Sequence, residues 1–230
     1  MSGFDGELEP ISREPTAAIV ADRLRSAITR GTFPPGSQLG EVDLAARLGV
    51  SRGPLREAMQ RLVQEGLLRS ERHRGLFVVD LGLDDVHDVY IARQAVEQAA
   101  AQRVLRGDRA GAVAALTAAQ RDIVAAASAQ DPAAMADADE AFHTTLVRVS
   151  NSPRLQRMAQ TLLAETRMCL AALQATSPDP ADLVAEHQAL LDALRDGSQS
   201  RLLALLEDHM HDAVAHIEPP RRAPARPPTQ

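Results

Sequence analysis

Asp139 and His143 stand four residues apart, which puts both on one side of a helix alongside Met135, Phe142 and Leu146. Further along, His187 interrupts the apolar stripe Leu183, Leu190, Leu194, and His209 interrupts Leu202, Leu206, Ala213, so each imidazole points inward. One inward histidine is ordinarily a satisfied core residue. Three on separate helices, with a carboxylate one turn from the first, make a borderline donor set of one oxygen and three nitrogens. Such a set suits a divalent metal ion, zinc first and then nickel, iron or manganese. His216, two turns beyond His209 on the same face, competes with it for that role, whereas His211 faces outward.

Arg93 poses the same question. It lies in the inward stripe Val86, Val89, Val96, Ala100, where a guanidinium is costly unless paired. Glu97, one turn on, can be a structural partner; an anionic ligand held in bidentate fashion can be a functional one.

A second chemistry sits near the N-terminus, in Val50 to Leu62. Ser51 can cap a helix, Pro54 falls in its first turn, and Leu55, Met59, Leu62 and Val63 mark its buried face. Arg52 and Arg56 then share an exposed face at the helix start, with Gly53 between them, where a recognition helix meets base edges. Glu41 to Leu48 reads as a shorter helix followed by the Gly49 turn, so the pair forms a helix-turn-helix. Leu67 to Glu71 and Leu76 to Asp80 read as two strands around a basic tip that holds Arg74 and Gly75. A first helix through Val20, Leu24 and Ile28 completes a winged helix-turn-helix over residues 12–80.

These sites need scaffolds, and composition says what kind. All 25 basic residues are arginine, against 31 acidic ones, for a net charge of −6. The imbalance is uneven: residues 47–74 hold 7 arginines and 3 glutamates, whereas residues 81–218 hold 11 arginines and 20 acids. The DNA-facing segment is therefore locally basic and the acidic half has separate work. With one cysteine, no disulfide framework is possible. No apolar run is long enough to span a membrane and no signal peptide is visible, which points to a cytoplasmic protein with no membrane partner. The second half, residues 84–217, is rich in alanine and leucine. Breaks at Gly107-Asp108, Asp131-Pro132, Asn151 to Pro153, Ser177 to Pro180 and Gly197-Ser198 divide it into six helices. The expected fold is mainly α: a winged helix-turn-helix with a small β wing, then an antiparallel six-helix bundle. Residues 218–230, dominated by proline and arginine, read as a disordered tail.

Three runs, F-P-P-G-S-Q-L, D-L-A-A-R-L-G-V-S-R-G-P-L-R-E-A and R-G-L-F-V, resemble the GntR family of bacterial transcription regulators. That resemblance implies operator contacts from Ser51, Arg52, Gly53 and Arg56, and a wing tip of Arg74 and Gly75 entering the minor groove. Two departures concern sequence preference: Gly53 where many relatives carry a hydrogen-bonding side chain, and Val42 at or beside a place where some carry arginine. The second half, through A-D-E-A-F-H-T-T-L, E-H-Q-A-L-L-D-A-L and E-D-H-M, resembles the FCD effector domain of the FadR-type branch. Six helices lean toward its VanR-like subgroup. The resemblance implies Asp139, His143, His187 and His209 as ligands of a divalent cation, and Arg93 as a contact for an acidic effector.

The expected protein is a homodimeric repressor on palindromic operator DNA, released by a small organic acid that meets the metal and Arg93. A metal sensor without organic ligand is the closer alternative. A metal-dependent hydrolase is the more distant one, because no general base stands at a diagnostic spacing.

Overall fold

The computed structural model describes residues 15–172 and 179–217. The tail expected at 218–230 and the first three residues of the expected winged domain lie outside them. The chain begins with α1 (Thr16–Thr29), β1 (Gln38–Leu39), α2 (Glu41–Leu48), α3 (Arg52–Gln64), β2 (Leu68–Glu71) and β3 (Gly75–Val78). Leu24, Ile28, Leu55, Met59, Leu62 and Leu67 are all buried and form the centre of this unit's core. The turn between α2 and α3 works because Gly49, at φ 66°, takes a left-handed conformation and returns its N–H to α2 carbonyls.

Three details depart from expectation. The sheet has three strands in the order β1-β3-β2, because Gln38 and Leu39 in the Pro-Gly loop pair with Phe77 and Leu76. The wing strands are shorter than the sequence suggests, spanning 68–71 and 75–78. Ser51 does occupy the N-cap of α3 in extended conformation, but its hydroxyl makes no capping bond. Ser51 is exposed, so water can serve its hydroxyl.

Six helices follow: α4 (Leu83–Arg106), α5 (Arg109–Ala129), α6 (Pro132–Val149), α7 (Pro153–Ala172), α8 (Pro180–Asp196) and α9 (Gln199–Ile217). Asp108, Asp131 and Asp179 cap three of them, accepting bonds from first-turn N–H groups. Phe142, Leu116, Ile123, Leu191, Leu194 and Leu206 fill the main core between α5, α6, α8 and α9. Long α4 packs against α6, α7 and α9 and so supplies one wall of the interior. Its Val86, Val89, Val96 and Ala100 are buried, and Arg93 is buried among them. No helix among the described residues is long and apolar enough to cross a membrane.

Candidate functional site

Asp139, His143, His187 and His209 converge from α6, α8 and α9, with one ligand atom from each lying within 4.8 Å of the others. All three imidazoles are buried, two of them completely. What orients them is an acceptor behind each ring. His143 Nδ1 donates to Glu97 Oε2 at 2.6 Å, His187 Nδ1 to the Leu183 carbonyl at 2.9 Å, and His209 Nδ1 to Glu186 Oε2 at 2.7 Å. With each Nδ1 held by an acceptor, each ring presents its Nε2 inward, the orientation in which histidines bind metals. His143 Nε2 and His209 Nε2 are 3.0 Å apart, and Asp139 Oδ1 lies 3.2 Å from His187 Nε2. His187 Nε2 is buried with no hydrogen-bond partner, a costly state for a nitrogen unless a cation meets it. These donors fit a borderline divalent ion, with the Asp139 oxygen as the fourth ligand atom.

Charge at this centre is tightly balanced. Burial alone would lower the His143 pKa, but the Glu97 and Asp139 carboxylates raise it to about 9. Burial likewise would raise Glu97 and Asp139, yet His143 outweighs it, together with Arg93 for Glu97 and His187 for Asp139; Glu97 falls to about 2 and Asp139 well below the carboxylate range. His209 is pushed down by burial and by the charge on His143. A proton on His143 Nε2, shared toward His209, therefore sits where a cation would.

Arg93 is committed on one side. Its Nε donates to Glu97 Oε1 at 3.1 Å and its Nη1 to Thr166 Oγ1 at 3.4 Å, with the guanidinium 5.2 Å above the Tyr90 ring. Glu97 thus holds Arg93 with one oxygen and His143 with the other. Nη2 lies 3.1 Å from Glu97 Oε1 but lacks the alignment of a hydrogen bond and has no other acceptor. A cavity of about 450 Å³ is lined in part by Arg93, with Tyr90, Met135, Leu183 and Ala213 on its apolar walls and Asp139 and His209 among its polar lining. His216 lies at this cavity too, but it is exposed and its Nδ1 donates to the Asp212 carbonyl of its own helix, which leaves it outside the cluster.

The winged unit presents a second surface. Arg52 is exposed at the start of α3, and Gly53 beside it has open space around it. Arg56 is not free: its Nε donates to Glu41 Oε2 at 2.7 Å, in solvent. At the wing tip Arg74 pairs with Glu71 and lies over the Phe77 ring at 5.1 Å. Gly75 takes φ 104°, and a side chain there would meet Gln38 Nε2 at 3.1 Å. Gln38 donates to the Arg74 carbonyl and so braces the tip from β1. The exposed Arg56–Glu41 pair is of a kind that is weak in water.

Known proteins carry the same two units. Residues 16–78 match the model of bacterial regulatory proteins, gntR family, and residues 88–212 match the FCD domain. The chain belongs to the GntR family of bacterial regulators, with an FCD domain at its C-terminal side. An HTH-type transcriptional regulator from the TAR-I ttuE-ttuC' intergenic region of Agrobacterium vitis is 41% identical over 54% of this chain and 74% of its own length. The gluconate operon transcriptional repressor of Bacillus licheniformis is 27% identical over 90% of this chain and 87% of its own. A GntR regulator of Rhodococcus sp. RHA1 has a similar structure, at 30% identity and TM-score 0.74, covering 87% of this chain and 96% of that one. A GntR regulator of this type is a DNA-binding transcription factor and not an enzyme, which removes the hydrolase alternative.

Two parts of this GntR regulator's site escape its sequence pattern. Glu97 is legible as a partner for Arg93 but not as the acceptor behind His143, 46 residues away. Glu186 adjoins His187 yet serves His209 on the next helix. No short spacing connects either carboxylate to its histidine; only the helix packing does.

Proposed function

We propose that this chain is a homodimeric, ligand-responsive repressor in the cytoplasm, holding a divalent cation on Asp139, His143, His187 and His209. One observation carries the reading: three buried imidazoles whose Nδ1 atoms are all held by acceptors, clustered with the Asp139 carboxylate so that one ligand atom from each of the four residues lies within 4.8 Å of the others. Zinc suits this set best, with nickel, iron and manganese behind it. A small carboxylate enters the adjoining cavity, meets the cation and takes the spare Nη2 of Arg93. The cavity favours this over a pure metal sensor, since a sensor needs no space of about 450 Å³ beside its ion. To induce, the acid must bind the DNA-incompetent dimer more tightly than the competent one. The coupling expected is about 1–3 kcal/mol.

The test combines elemental analysis of protein purified without chelator with operator mobility shifts, with and without chelator and a panel of organic acids. Metal absent from the parent protein sinks the metal site; operator affinity that follows metal alone, indifferent to every acid, favours the sensor. Tyr90 is the sole tyrosine, there is no tryptophan, and Tyr90 borders the cavity, so intrinsic fluorescence reports acid binding without a label.

Uptake of the cation must also expel the proton from His143. Because that proton is held up to about pH 9, metal affinity is expected to rise with pH through the neutral range and level off near 9. Calorimetry in buffers of different ionisation enthalpy should report about one proton released per ion at neutral pH. A buffer-independent enthalpy contradicts this.

On the DNA side, Ser51, Arg52, Gly53 and Arg56 line the start of α3 and enter the major groove, while Arg74 and Gly75 enter the minor groove. Two such units in a dimer fit a palindromic operator. Arg52→Ala and Arg56→Ala are each expected to weaken operator binding by about 1–3 kcal/mol if they read a base. Arg56 must first leave Glu41, so Glu41→Gln should strengthen binding modestly. Unchanged mobility shifts for both arginine variants would discard this surface.

A further inference from the structure

Helix α7 belongs to two cores at once. Its Ala164 and Met168 are members of the winged unit's apolar cluster, with Leu24, Leu62 and Leu67, and both are buried. Between them Glu165 lies against Gly66, so close that a Cβ added to the glycine would stand 2.9 Å from its carboxylate oxygen. The opposite face of the same turn looks into the bundle. Thr166 Oγ1 accepts from Arg93, and Cys169 clusters with Val86, Tyr90 and Met210. Arg167 pairs with Asp137 and Glu140 on α6, the helix that also carries Asp139 and His143.

A continuous buried path therefore runs from the histidine cluster to the winged core: His143 to Glu97, Glu97 to Arg93, Arg93 to Thr166. Thr166 is two residues from both Ala164 and Met168 on one rigid helix, so it cannot shift without carrying them. On the far side of this joint a cleft of about 560 Å³ lies between α1, at Asp22, Arg25 and Thr29, and Glu140 and Arg167.

We infer that α7 transmits occupancy of the bundle site to the winged unit, with Thr166 as the handle by which Arg93 moves it. The inference rests on the site reading given above. A cation on His143 redistributes the charge facing Glu97, and an acid on the spare Nη2 of Arg93 draws the guanidinium away from the Thr166 hydroxyl held by Nη1; either changes the pull on α7. Helix shifts of about 1–2 Å at such joints are the usual scale of switching.

Hydrogen exchange on the full chain tests this, comparing protein saturated with Zn²⁺ against the same protein after chelation. Exchange is expected to change about fivefold or more around His143 and His187, along residues 161–170 of α7, and at residues 62–68 where Gly66 and Leu67 meet it. Thr166→Val, which keeps the shape and removes the acceptor, should retain the change around the histidines and lose it at 62–68; Thr166→Ser should restore it. A parent protein with no change at 62–68, or a Thr166→Val protein that keeps it, overturns the inference. If elemental analysis finds no metal, the site reading fails separately. The double variant Arg93→Met, Glu97→Gln, which removes the pair without stranding a charge, then replaces chelation as the perturbation, and unaltered exchange at 62–68 again overturns the inference.

Discussion

The double substitution His187→Ala, His209→Ala is expected to abolish stoichiometric metal while leaving the winged unit folded. Two of four donors disappear, and those that remain, Asp139 and His143, both sit on α6 and cannot enclose an ion. The winged unit should survive because its core shares no residue with the histidine cluster. The bundle should not be indifferent. A cation present at about a thousandfold over its dissociation constant stabilises the folded state by about 4 kcal/mol. In a chain of this size that corresponds to about 8–16 °C in melting temperature. Chelating the parent should therefore lower its melting point by that amount, and chelating the double variant should change nothing. Elemental analysis and two melting curves decide it. A chelator that leaves the parent's melting point unmoved would count against a metal bound on these four residues.

The four donors are legible in the amino-acid sequence because each histidine breaks an apolar stripe at a helical period, and Asp139 stands one turn from the first of them. A buried polar side chain in such a stripe demands a partner, and Arg93 is legible for the same reason. The carboxylates behind the rings are not. Glu186 lies one residue from His187 and reaches a ring 23 residues further on, a contact that exists only because α8 and α9 pack side by side. The helical punctuation is plain, since aspartate before proline starts α6 and α8, and glycine ends α2 and α8. Strand β1 is hidden by its length: two residues carry no alternation, and their pairing with β3 is a tertiary fact. The hydroxyl of Ser51 shows the converse limit, a residue type that fits the capping position while its side chain stays in solvent. Arg56, too, is legible as exposed but not as paired, because Glu41 lies 15 residues away on another helix.

Glu97→Ala is expected to be the most damaging single change in the bundle. It strands the Arg93 guanidinium, 3% exposed, without its counter-charge, and takes the acceptor from His143. Breaking a buried pair by deleting one partner costs about 3–5 kcal/mol. That is a large part of the roughly 5–15 kcal/mol that holds a typical domain together. Glu97→Gln separates shape from charge. Its one amide oxygen can accept from Arg93 or from His143 but not well from both, so it should fold better than the alanine variant and still bind metal about 10–100-fold more weakly than the parent. The sign of the pH effect follows from Glu97 itself, whose pKa falls from 4.5 to about 2 on folding. A depressed carboxylate stabilises the native state fully above its unfolded value and loses that contribution as pH falls through its folded value. The stability gap between parent and Glu97→Gln should therefore be full above pH 4.5 and close toward pH 2. Denaturant titrations across that window measure it, and a gap independent of pH would mean that Glu97 holds Arg93 and His143 by shape alone.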